Sequence, residues 1–326
     1  MSERAGESSA RRERACEPSA PRALAERAAG VGYAAGWRVV RGLPAPLAHA
    51  GFRCGADLAA RHAGPGTRRL RANLTRVVPD ATPDALDDLV RAGLRSYARY
   101  WCEAFRLPAM DPVAVHRRLD PLVTGAERAF QALHEGRGVI FALPHSGNWD
   151  VAGVWMVESL RRLGLEPVLT TVAERLRPES LFRRFVRYRE SLGFEVIAAQ
   201  DGSTAYRALT RRLRAGGVVC LVSDRALTAS GVEVSFFGEP ARLPAGPARL
   251  AALTGAVLIP AYPRFTPDGW ALPMAAPVPV RTRADVPAAT QALADALAGL
   301  IVAAPADWHM LQLLWTADRM PEPVAQ

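Results

Sequence analysis

No lysine occurs in the 326 residues; all 41 positions counted as Lys or Arg are arginine. A GC-rich coding sequence produces such a bias by itself and also raises the alanine and proline content. Whatever its origin, the formal charge of +9 draws the surface toward anionic lipid, nucleic acid or phosphorylated ligands. Cysteine is scarce: Cys16, Cys54, Cys102 and Cys220 lie far apart, with no Cys-x-x-Cys spacing and no His–Cys cluster. That argues against structural zinc and a disulfide framework, and fits a reducing compartment. Uninterrupted apolar runs of about 18 residues are also missing, so no transmembrane helix is expected. The N-terminus lacks the apolar core of a signal peptide. Residues 1–27, rich in Arg, Glu and Ser, are expected to be a disordered tail, and 321–326 a second, short one. No nucleic-acid motif is present and the arginines are spread along the whole chain, which argues against a nucleic-acid-binding module.

What is present is a globular composition, 49% hydrophobic, and enough length for one large α/β domain. Residues 28–320 are read as that single domain, with a helical part over 28–137 and an α/β core over 138–320. Tyr33, Trp37 and Val40 fall at i, i+4 and i+7 between Arg38 and Arg41. Such a helix face suits a membrane interface or a buried position equally well. Pro44 and Pro46 are expected to break it, with helix resuming over 55–63 and 67–74. A longer helix is expected over 83–105, capped by Thr82. Short apolar runs then recur at 138–143, 167–172, 194–198, 217–222 and 256–262. Helical stretches at 150–163, 180–192 and 205–215 lie between them, and others at 247–253 and 288–304 follow. Short apolar strands alternating with helices predict an α/β fold: a mainly parallel central sheet flanked by helices on both faces, behind a helical N-terminal region.

The most informative segment is Leu143-Pro-His145-Ser-Gly-Asn-Trp-Asp150, where a strand ends and a helix begins. Residues five apart on one helix point about 140° away from each other. A strand-to-helix turn containing Gly147 can instead bring Asp150 to His145, fixing the imidazole tautomer and stabilising its protonated form. Sites in open α/β sheets form beyond the carboxyl ends of strands, where this turn lies. Backbone amides at 147–150 are candidate oxyanion donors. There is no Gly-x-Ser-x-Gly, and Ser146 lacks the glycines of a nucleophile elbow, so a hydrolase is disfavoured.

His145-x4-Asp150 and the block Gly231-Val-Glu-Val-Ser-Phe-Phe-Gly238 resemble the lysophospholipid and lipid A late acyltransferase superfamily. Four stretches are similar, more narrowly, to the phosphatidylinositol mannoside acyltransferases of high-GC Gram-positive bacteria. These are 142–150, 170–175, 188–196 and 305–312, and the likeness runs from about Tyr33 to Trp315. The resemblance implies transfer of a fatty acyl group, typically palmitoyl, from acyl-CoA to a mannose 6-hydroxyl of a phosphatidylinositol mannoside. It implies no metal or redox cofactor, an anionic membrane surface as partner, and a peripheral position on the cytoplasmic face of the cell membrane. Other acceptors, such as a lysophospholipid or a lipid A precursor, share the same turn. Residue by residue, it places His145 as general base, with Asp150 and Asp224 as the acids of the site, and leaves open which of them orients the imidazole. Asp224 stands where close relatives carry glutamate. Glu174, Arg189 and Ser230 fall at substrate- and donor-facing positions. Arg175, Arg189 and Arg225 could meet phosphate. Phe236-Phe237-Gly238 could be an apolar wall or a buried hairpin edge, and His309 reads as structural.

Overall fold

The computed structural model describes residues 36–173, 179–198, 202–226 and 231–319. Tyr33, Glu174, Arg175, Ser230 and both expected tails lie outside them. The N-terminal region comprises α1 (36–42), α2 (Ala45–His62), α3 (Pro65–Val77) and α4 (Pro83–Arg106), followed by α5 (Pro112–Leu119), β1 (Val123–Thr124) and α6 (Glu127–His134). Pro44 and Pro46 do not keep helix away until residue 55, as their number suggested. Pro44 is the N-cap of α2 and Pro46 sits in its first turn, where a missing N–H costs nothing because those amides have no intrahelical acceptor. Thr82 does cap α4, its hydroxyl accepting from the Ala85 amide.

The core alternates as read: β2 (Val139–Leu143), α7 (Trp149–Arg162), β3 (Leu169–Ala173), α8 (Glu179–Glu190), β4 (Phe194–Ala198), α9 (Gly202–Arg214) and β5 (Val218–Val222). After them come β6 (Val232–Phe236), β7 (Glu239–Leu243), α10 (Gly246–Thr254), β8 (Val257–Pro260), β9 (Arg264–Phe265), β10 (Trp270–Pro273) and α11 (Val286–Val302). The five expected strands form one all-parallel sheet in the order β4-β3-β5-β2-β8. β2 lies between β5 and β8, buried at all five positions because helices cover both faces. The β6–β7 hairpin turns through Phe237 and Gly238, both at positive φ, the geometry a two-residue hairpin loop needs to match strand twist. Phe236 is buried against Trp308 and Trp315, so this aromatic pair belongs to a hairpin packed on the core.

By length and composition, the stretch Arg283–Val302 could cross a membrane, contrary to the expectation of no such helix. Interruption by single polar residues hid it from a search for unbroken apolar runs. Its Val286, Ala289, Leu293, Leu297 and Ile301 are nevertheless buried in the core at helical spacing. Here α11 is a core helix that closes one face of the sheet.

Candidate active site

β2 and β5 are adjacent and parallel, with Leu143 opposite Val222. His145 and Asp224 therefore each lie two residues past paired strand ends, on the same edge of the sheet. Asp224 Oδ1 is 2.8 Å from His145 Nδ1, and Oδ2 accepts the backbone N–H of His145 at 2.9 Å. The Trp308 indole N–H donates to the same Oδ2 at 3.0 Å. Asp224 is fully buried while the His145 side chain keeps 36% of its exposure. Burial pushes the Asp224 carboxyl up, but the neighbouring His145 and these three hydrogen bonds outweigh it and hold it below the usual carboxylate range. An ionised acid bound at Nδ1 keeps a proton there, leaving Nε2 as the bare, accessible nitrogen.

The turn between β2 and α7 is fixed residue by residue. Gly147 has φ +47°, and a Cβ there would lie 2.4 Å from the Pro263 carbonyl oxygen, so only glycine fits. Asn148 caps α7 by accepting from the Val151 amide, and donates to buried Glu103 at 2.9 Å. Glu103 also accepts from Arg99 and Trp270. The segment 307–309 clamps the turn from outside: the Gly147 N–H donates to the Asp307 carbonyl, and the His309 N–H to the His145 carbonyl at 2.7 Å. The Gly147 amide is thus committed and drops out of the expected oxyanion donors.

Asp150 does not fold onto His145. It already belongs to the first turn of α7, which carries it toward α4 and α8, where the Arg189 Nε donates to it at 3.0 Å. The Tyr100 and Tyr188 hydroxyls stand 3.4 Å from its other oxygen. Burial, then the Asp150 charge, keeps both phenols protonated. Arg189, placed by resemblance on the substrate side, spends its Nε on this ion pair, and the Asp150 side chain is only 2% exposed.

His309 is buried, its Nε2 2.8 Å from the Ser96 hydroxyl, which itself donates to Asp307. Burial, then the proximity of His145, pushes its pKa down to about 3, so it stays neutral at physiological pH. Trp149 bridges the two histidines, with its ring 6.0 Å from His145 and 6.4 Å from His309. Behind Trp149 lies an apolar cavity between the sheet and α7, lined by Phe141, Leu143, Met156, Leu272 and Met274 among others. Among the described residues no group of three or more His, Cys, Asp or Glu side chains could hold a metal ion. The Cys220 thiol borders the cavity and is pushed up to about 12 by burial, which leaves it unreactive. Trp308 and Asp307 were not singled out in the sequence; their only signal was membership of the similar stretch 305–312.

Residues 21–317 match the family model for bacterial lipid A biosynthesis acyltransferases. A phosphatidylinositol mannoside acyltransferase of Mycolicibacterium smegmatis is 52% identical over 293 residues, covering 90% of this chain and 93% of the relative. A phosphatidylinositol mannoside acyltransferase of Mycobacterium tuberculosis is 51% identical over 290 residues, 88% of each chain.

Proposed function

Because the chain belongs to the bacterial lipid A biosynthesis acyltransferase family and is an acyltransferase, we propose that it acylates a phosphatidylinositol mannoside. The acyl group, palmitoyl, comes from acyl-CoA and goes to the 6-hydroxyl of the mannose on the inositol 2-position. His145 is the general base. The observation that carries this reading is the His145–Asp224 pair: an ionised, buried acid on Nδ1 and an open Nε2 at the carboxyl edge of a parallel sheet. Nε2 takes the proton of the mannose hydroxyl as its oxygen bonds to the thioester carbonyl carbon. The tetrahedral adduct then collapses with loss of the thiolate, which takes the proton back from the imidazolium. Products are the ester and free CoA thiol, and no metal or redox cofactor enters the balance.

Release of CoA thiol from palmitoyl-CoA, followed with and without a purified phosphatidylinositol mannoside, tests the whole reading. Thiol release should rise many-fold with the mannoside and not with lysophosphatidic acid or a lipid A precursor. Stimulation by one of those acceptors, and none by the mannoside, would overturn the acceptor assignment.

Donor and acceptor together require work at the cytoplasmic face of the cell membrane, held there peripherally. Of the two environments the helix face around Trp37 suits, it takes the buried one. Trp37 points inward, its indole donating to the Phe105 carbonyl and its ring against Phe105, Phe185 and Tyr188. The exposed apolar residues are instead Val39 (60%), Leu47 (61%) and Leu58 (54%) on α1 and α2. Asp57, the single acid between residues 36 and 62, is taken by Arg95, so Arg38, Arg41, Arg53 and Arg61 leave this surface basic. Such a surface suits anionic headgroups, with a salt-sensitive electrostatic part and a salt-resistant apolar part. Leu47→Glu with Leu58→Glu is expected to abolish flotation with anionic liposomes while thiol release from soluble palmitoyl-CoA persists. Undiminished flotation of the double variant would assign docking to another surface.

A further inference from the structure

We propose that Trp308 is a positioning residue for acyl transfer, acting through Asp224 to aim His145; this rests on His145 being the general base. Trp308 has no exposure, and among the described residues its N–H is the one side-chain donor to Asp224 apart from the imidazole. The carboxylate therefore has each oxygen assigned. Oδ1 faces the His145 ring, while Oδ2 is held between the His145 amide and the indole.

The backbone ties the same two partners together. Ser146 and Trp308 form an antiparallel bridge, so the tryptophan is bound to the turn that carries His145. Its ring is wedged between Phe237 and Trp315, centroids 6.0 and 6.3 Å away, which leaves the indole little freedom to turn. A buried carboxylate free to rotate would spread its charge over several orientations. One clamped at Oδ2 presents Oδ1 to the imidazole continuously, and such preorganisation is what a base needs in the transition state. Losing the indole donor has a second effect. A carboxylate with one hydrogen bond fewer is more basic and interacts more strongly with the imidazolium.

Trp308→Phe keeps an aromatic ring but opens space in the core, so the decisive variant replaces Trp308 by β-(3-benzothienyl)alanine through site-specific incorporation. That side chain keeps the bicyclic shape and has sulfur in place of N–H. With the full-length protein, kcat should fall about tenfold, with the KM for palmitoyl-CoA within about twofold. The acid limb of the kcat/KM profile should move, since that limb reports the free-enzyme base. In an Asp224→Asn background the same replacement should cost less than about twofold, because its target charge is gone. A benzothienyl variant with wild-type kcat and an unmoved acid limb would overturn the proposal. So would losses that multiply fully with Asp224→Asn. Wild-type turnover in His145→Ala would instead remove the base assignment itself, separating the two failures.

Discussion

Replacing His145 with alanine should lower acyl transfer by about two to four orders of magnitude, the usual worth of a positioned general base. The protein should remain folded, because the side chain is partly exposed and, among the described residues, its one side-chain hydrogen bond is to Asp224. The backbone contacts that shape the turn, from the His145 amide and carbonyl, survive the substitution. Thermal unfolding should therefore move by only a few degrees while kcat collapses. The converse variant, Asp224→Asn, keeps the shape but removes the charge that fixes the Nδ1 proton and stabilises the imidazolium, so a loss approaching that of His145→Ala is expected. Asp224 holds its charge well into the acid range because His145 and three hydrogen bonds outweigh its burial. Its support of the imidazole is thus present above the ordinary carboxylate range and fades only as the pH drops through the depressed value. His145→Ala turnover within tenfold of the unmodified protein would refute the base assignment, whatever the structure around it.

Much of this geometry was legible in the chain. The strand runs at 138–143 and 217–222 fell within a residue of β2 and β5, because strands buried on both faces are apolar throughout and stop where polar residues begin. Each run was followed two residues on by a chemical group, His145 or Asp224. That the two strands are neighbours was not legible: the order β4-β3-β5-β2-β8 is a property of how the layers pack, and no local pattern encodes it. The choice between Asp150 and Asp224 could not be made for that reason, since it depends on a contact spanning 79 positions. Trp308 escaped notice for the same cause, reaching Asp224 across 84 positions. The orientation of the helix around Trp37 was illegible for a different reason. Periodicity gave the helix around Trp37 but not its rotation, and an aromatic next to arginines reads alike whether it faces lipid or Phe105 and Tyr188. The α2 start was misjudged because proline is a breaker in the helix interior and a welcome residue in the first turn.

Asp150→Asn is expected to act on stability before chemistry. The substitution leaves the Arg189 guanidinium paired to a neutral amide in a site where the acid side chain is 2% exposed. Breaking one half of a buried ion pair typically costs about 3–5 kcal/mol, mostly the penalty of an uncompensated charge. At about 2–4 °C per kcal/mol for a large domain, the midpoint of thermal unfolding should fall by on the order of 10 °C. Tyr100 and Tyr188 cannot compensate, since each is a neutral phenol that donates to the same carboxylate and brings no negative charge to balance Arg189. Adding Arg189→Met to Asp150→Asn should recover part of the loss, because the stranded cation is then removed and its stem replaced by apolar volume. Assayed well below its own unfolding midpoint, Asp150→Asn should keep kcat within about tenfold of the parent, in contrast to Asp224→Asn. The reason is geometric: the charge that reaches the imidazole comes from β5, while Asp150 ties the first turn of α7 to α8. If Asp150→Asn unfolds at the parental temperature yet loses turnover as completely as Asp224→Asn, the division of labour between these two acids is wrong, and Asp150 acts on the reacting groups directly.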